Sequence, residues 1–202
     1  MKASTMRCLP AMLIRANQFI VVLDACVSVP MPVCDTLLRL AEEPAFYIPK
    51  WSNQILAEVA TTMEKLGRSH TQAQRRLAAM QEAFPDALVT GYEQLIPAMT
   101  NHPEDRHVLA AAVRCGAHSI ITDNAKDFPQ EALEPFGVSR LTPDDFLVHQ
   151  YRFNPGLVLD VVERQATAIH RDPRNLVALL SPQVPRFSEL LRGKPAGSST
   201  RV

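Results

Sequence analysis

The chain alternates short, unbroken apolar runs with stretches of helical period. Phe19-Ile-Val-Val-Leu23 is rich in β-branched residues and uninterrupted by polar ones, the pattern of a central strand in a parallel sheet covered on both faces, and Asp24 ends it. Pro30 and Pro32 open a short amphipathic helix through Leu37, Leu38 and Leu40 that stops near Pro44, and Ala45 to Ile48 is expected to form a second strand. Ser52 then caps a helix in which Ile55, Val59, Met63 and Leu66 recur at helical spacing and Gly67 marks the end, with Glu58 on the margin of the apolar stripe. Thr71 with Gln74 predicts a capping box for a third helix, carrying Leu77, Met80 and Phe84 inward until Pro85.

Ala87 to Thr90 reads as a strand, followed by a proline-broken segment to Asn101. A helix from about Glu104 to Cys115 is expected, with Val108, Leu109, Ala112 and Val113 on one face and Gly116 as its left-handed stop. Ser119 to Thr122 is the next strand, and the strand, helix, strand order implies a right-handed crossover. Val138 to Leu141 reads as an edge strand, and Thr142-Pro-Asp-Asp as a helix start with cap, proline and acidic first turn. Helical period then runs from 155 to about 192, with Pro155 and Pro173 as starters. The expected organisation is a poorly ordered leader over 1–17, an α/β domain over 18–150, a helical C-terminal extension over 151–192 and a disordered tail over 193–202.

Composition narrows the choices. A chain of 202 residues that is 47% hydrophobic can bury a core without staples, and its 21 basic and 21 acidic residues cancel, so any polyanion must be met by a local patch. Cys8, Cys26, Cys34 and Cys115 form no Cys-x-x-Cys pair, which speaks against a zinc site and for buried thiols. Arg15, Asn17, Gln18 and Asp24 interrupt the apolar stretch from Met6 to Val29 far short of a bilayer span, so a soluble cytoplasmic protein is expected. The seven glycines never form the dinucleotide-binding pattern, and Cys26 stands where a haloacid-dehalogenase-like phosphatase would need a second aspartate after Asp24.

The candidate chemistry lies in carboxylates at strand ends, where loops and helix N-termini of an open α/β sheet converge. Asp24 closes the first strand, Asp105 begins the helix before a later strand, Asp123 and Asp127 follow that strand, and Glu58 is on the intervening helix. Singly each has a plain structural explanation, as a cap, a first-turn carboxylate worth about 0.3–1 kcal/mol, or a solvated helix residue. Together, Val21-Val-Leu-Asp-Ala-Cys26, Trp51-Ser-x-x-Ile-Leu-x-Glu-Val59, Asp105-Arg-His-Val-Leu-Ala-Ala-Ala112 and Ile121-Thr-Asp-Asn-x-x-Asp-Phe128 resemble the PIN-domain nucleases, specifically the stand-alone proteins related to VapC-type toxins, over residues 19 to 147.

That resemblance implies a three-layer α/β fold: a four- or five-stranded parallel sheet with helices on both faces, here followed by the helical extension. It also implies cleavage of single-stranded RNA dependent on Mg²⁺ or Mn²⁺. The family's acids fall on Asp24, Glu58 and Asp105, with the fourth drawn from Thr122, Asn124 and Asp127, and Asp123 held as the alternative. Mg²⁺ and Mn²⁺ are hard cations that prefer oxygen ligands, which suits Asp24 and Asp105 as direct ligands and Glu58 and Asp127 as holders of water, with Thr122 or Ser28 supporting them. Four clustered acids should repel one another, so at least one should hold a proton more tightly than a free carboxyl.

Lys50, Arg106 and Lys126 are the candidate RNA contacts, with Arg39 and Arg68 behind them, whereas Arg75 and Arg76 read as a solvated helix face. Trp51 is expected to pack beneath a helix start, and His102 and His107, five apart, suit neither a zinc pair nor a relay. The resemblance further implies the toxin of a type II toxin-antitoxin pair, with an antitoxin partner, a possible homodimer and no membrane. The alternative is a catalytically silent PIN scaffold that binds protein or RNA.

Overall fold

The computed structural model describes residues 19–42 and 45–193, so the leader, Cys8, Pro44 and the tail beyond Gly193 lie outside the described residues. Five parallel strands, β1 (Ile20–Leu23), β2 (Ile48–Ser52), β3 (Leu88–Val89), β4 (Ser119–Ile121) and β5 (Ser139–Leu141), lie in the order β3-β2-β1-β4-β5. The chain leaves β1 toward one edge, returns across the sheet and continues toward the other. The order therefore reverses beside β1, and the crevice between the carboxyl ends of β1 and β4 is where this architecture collects ligands. Register sets Leu23 opposite Ile121, so the residues just beyond, Asp24 and Thr122, emerge side by side.

The helices are α1 (Ala25–Ser28), α2 (Met31–Ala41), α3 (Asn53–Lys65), α4 (His70–Ala83), α5 (Arg106–Cys115), α6 (Gln130–Leu133), α7 (Pro143–Phe153), α8 (Pro155–Ala168), α9 (Pro173–Leu180) and α10 (Pro185–Arg192). Right-handed crossovers put α2 to α4 on one face of the sheet and α5 with α6 on the other. Helix α5 turns Val108 to Ala112 wholly inward against β1, β2 and β4, and Gly116 at φ +65° returns its N–H to the carbonyls of Ala112 and Val113.

Prolines start all four C-terminal helices, at 143, 155, 173 and 185, the last of these not anticipated from the sequence. Thr142, Asn154 and Asp172 cap the first three with their own side chains. Val184 cannot cap α10; instead Asp144 of α7 accepts the N–H groups of Arg186 (3.1 Å) and Phe187 (2.9 Å). Helices α8 and α9 lie on α2, where the Thr36 hydroxyl bonds Gln165 (2.7 Å) in the interior and Gln165 donates to the Pro32 carbonyl (2.9 Å). Val158, Leu176 and Phe187 belong to the same apolar cluster as Val22 and Ile120, so the extension shares one core with the sheet.

Three expectations need correction. The second strand lies at Ile48–Ser52, not Ala45 to Ile48; Phe46 and Tyr47 are buried, but in the approach to the strand, where the Tyr47 hydroxyl donates to the Leu37 carbonyl. The capping box of α4 is Ser69 with Gln72, not Thr71 with Gln74. Arg76 is not on a solvated face: it donates to the Val29 carbonyl (2.7 Å) and the Ser28 carbonyl, tying α4 to the end of α1. Trp51 is fully buried, edge-on to Phe84.

Candidate metal centre

The carboxylate that ends β1 is fixed from both sides. Asp24 is 3% exposed; its Oδ1 accepts the Ala25 N–H (2.7 Å), and its Oδ2 accepts the Thr122 hydroxyl (2.7 Å) and the Cys26 thiol (3.2 Å). It is thus the N-cap of α1 as well as a wall of the crevice. Thr122, completely buried, also accepts the Asn124 N–H (3.0 Å), which turns the chain after β4 back over the crevice. Arg140 of β5 holds that turn through the carbonyls of Ala125 (2.6 Å) and Phe128 (2.8 Å).

Asp24, Glu58, Glu104, Asp105 and Asp127 all line one cleft of about 600 Å³, with Asn124 beside them. Among the described residues that line the cleft there is no lysine or arginine, and the one basic side chain is His102. Another concavity runs along α8 past Asp160, Glu163 and Arg164, and its described lining residues all belong to that one helix.

Asp105 stands electrostatically at the centre. Burial, then the negative charges of Asp24 and Asp127 and more weakly Glu58, push its carboxyl up to about 6, against a pull downward from His107. This is the tightened proton expected of clustered acids. His107 itself is 2% exposed; its Nε2 lies at ion-pair distance, 2.8 Å, from Glu58 Oε1, and its Nδ1 has no hydrogen-bond partner among the described residues. Cys26 lines the cleft as a thiol, not a thiolate, because burial and the Asp24 charge push it up to about 12. Burial and Asp24 also raise Asp123, which is solvent-exposed and outside the cleft lining.

The anticipated residues divide accordingly. Asp24, Glu58, Asp105, Asp127 and Asn124 are brought together, with Thr122 directly behind Asp24. Ser28 is buried away from the cleft lining, its carbonyl taken by Arg76. Lys50 reaches the Asp86 carbonyl, Arg39 pairs with Asp35, and Arg106 donates to the Asn101 carbonyl (3.3 Å), so none of these lines the cleft, while Lys126 is exposed on the turn after β4. In the sequence His102 stands five residues from His107, a spacing that offers no pair. Its useful neighbour is Asp105, three residues on: ligand atoms of His102, Asp105 and Asp127 all lie within 4.8 Å of one another. Oxygen-rich donors with one imidazole, converging in an acidic cleft, fit a divalent cation.

A parallel sheet with this strand order, with acids gathered at the carboxyl ends of its central strands, is the construction of a nuclease domain, and the chain belongs to the VapC-like PIN nuclease family. Over 130 residues it is 42% identical to a Mycobacterium tuberculosis protein named "Putative ribonuclease VapC50", covering 56% of this chain and 72% of that one. Residues 143–193, spanning α7 to α10, match the family described as the VapC50 C-terminal domain. No solved structure matches the chain.

Proposed function

We propose that the protein is a metal-dependent endoribonuclease that cleaves single-stranded RNA in the cytoplasm as the toxin of a type II toxin-antitoxin pair. The observation that carries this reading is the cleft's charge: among the described residues five carboxylates, and no lysine or arginine, face the space a reacting group would occupy. A phosphodiester is itself an anion and is repelled from such a cleft unless a cation stands between. Asp24 and Asp105 are the direct ligands of Mg²⁺ or Mn²⁺ in this reading, with Glu58 and Asp127 holding water around the ion. When bound, the ion supplies Lewis-acid polarisation of a phosphate oxygen and a water that ionises near neutral pH.

The protein's own part is to orient these groups. Thr122 and the Ala25 N–H prevent Asp24 from rotating, while Arg140 keeps Asn124 and Asp127 over the cleft. Glu58, 39% exposed, remains accessible to accept a proton from the attacking water. Lys126 on the same turn is the candidate contact to the RNA backbone, and in this reading an antitoxin partner covers the acidic cleft.

The test is cleavage of a single-stranded RNA by wild type, Asp24→Asn and Asp105→Asn with Mg²⁺, Mn²⁺ or chelator. Each substitution is expected to cost at least about a hundredfold, since a ligand to a catalytic ion supplies several kcal/mol. RNA binding without cleavage by wild type would leave a PIN scaffold that only binds.

A further inference from the structure

We infer that His102 is a nitrogen ligand of the metal centre, and that its imidazole, beside Asp105 and Asp127, adds affinity for first-row transition dications such as Co²⁺ while adding little for Mg²⁺. The inference rests on the metal-centre reading above and adds a ligand to it.

Geometry is the first support. His102, Asp105 and Asp127 each present a ligand atom within 4.8 Å of the others, a span that one ion between them can bridge. The main chain holds the three in place: the His102 N–H donates to the Asp127 carbonyl (3.1 Å) and the Asp105 N–H to the His102 carbonyl (2.9 Å). Pro103 begins the tight turn between His102 and Asp105, which further restricts that spacing. The His102 Nδ1 stands 3.7 Å from Asp105 Oδ2, beyond a hydrogen bond, so the ring is not consumed by its neighbour.

The donor set is the second support: among the described residues that line the cleft His102 is the one basic side chain, and it brings a nitrogen donor to a lining otherwise rich in carboxylate oxygen. Carboxylate oxygens alone suit Mg²⁺ and Mn²⁺, whereas imidazole adds affinity for the later first-row ions and little for Mg²⁺.

The experiment titrates Co²⁺ and, separately, Mg²⁺ into metal-free full-length protein by calorimetry, for wild type, His102→Gln and Asp105→Asn, with the Co²⁺ visible spectrum as a readout of nitrogen ligation. The expected result is that His102→Gln weakens Co²⁺ binding by about tenfold or more, on the scale seen when residues supporting a metal site are lost, alters the Co²⁺ spectrum, and leaves Mg²⁺ binding within about threefold. Asp105→Asn weakens both ions. Equal losses for the two ions in His102→Gln, or an unchanged Co²⁺ affinity and spectrum, overturn the assignment of His102 while leaving the carboxylate centre standing. Absence of binding by either ion to wild type, or binding untouched by Asp105→Asn, overturns the metal centre and His102 with it.

Discussion

Replacing Asp105 by Asn in the metal-free protein should raise its stability at neutral pH, the opposite of what loss of an ordinary buried polar group does. The side chain is 17% exposed, and its carboxyl is raised from 3.8 to about 6 by burial and by the charges of Asp24, Asp127 and Glu58. A raised acid is protonated more readily in the folded chain than in the unfolded one. Its penalty is therefore absent below the unfolded value near 4, grows between about pH 4 and 6, and stays constant above. The shift of roughly two pH units corresponds to a ceiling of about 3 kcal/mol.

Asparagine keeps the shape and removes the charge. Asp105 makes no side-chain cap bond to α5, so the loss is confined to a helix-dipole interaction of about 0.3–1 kcal/mol and a weak contact with His102. A net gain of about 1–2 kcal/mol remains, or roughly 3–6 °C in Tm for a chain of this size. The assay is thermal unfolding in chelator at pH 5 and pH 8, wild type against variant. A variant less stable than wild type at pH 8, or a difference that does not grow from pH 5 to pH 8, would refute the reasoning that mutual repulsion dominates this cleft.

Arg140→Ala removes the two bonds that hold the turn after β4, and cleavage is expected to fall more than the melting temperature does, which kinetics and melting measured on the same preparation will compare. Asp144→Ala leaves the first turn of α10 without its borrowed cap, costing about 0.5–2 kcal/mol and exposing the C-terminal segment to limited proteolysis before the sheet. Cys26, though it lines the cleft, should resist alkylation at pH 8 in the folded protein and react at the rate of a free thiol once unfolded, because its proton is held up to about 12.

The sequence was easiest to read where one local signal sufficed. The apolar run into Asp24 placed β1 and its terminal acid, and the Gly116 stop bounded α5. It misled at β2, where Pro49 and Lys50 disguise an interior strand. The structure supplies the reason: the Ile48 N–H donates to the carbonyl of Phe19, just before β1, so Pro49 turns toward the other side, where β3 pairs only with Trp51 and Ser52 and asks for no N–H. Lys50 is satisfied by the Asp86 carbonyl rather than by solvent at the cleft.

In the cleft, the four acids were legible because carboxylates at strand ends and helix starts are conspicuous in a list of residues. Arg76, Arg140 and His102 were not, because what they touch lies elsewhere in the fold or along an irregular turn that no period announces. A histidine three residues before Asp105 is the one local sign of the pairing between His102 and Asp105.

The hydroxyl of Thr122 reaches back across 98 positions of chain to grip Asp24. A ribosome making this protein releases Asp24 long before Thr122, so the carboxylate that ends the first strand stays free to rotate until more than half of the chain has been made.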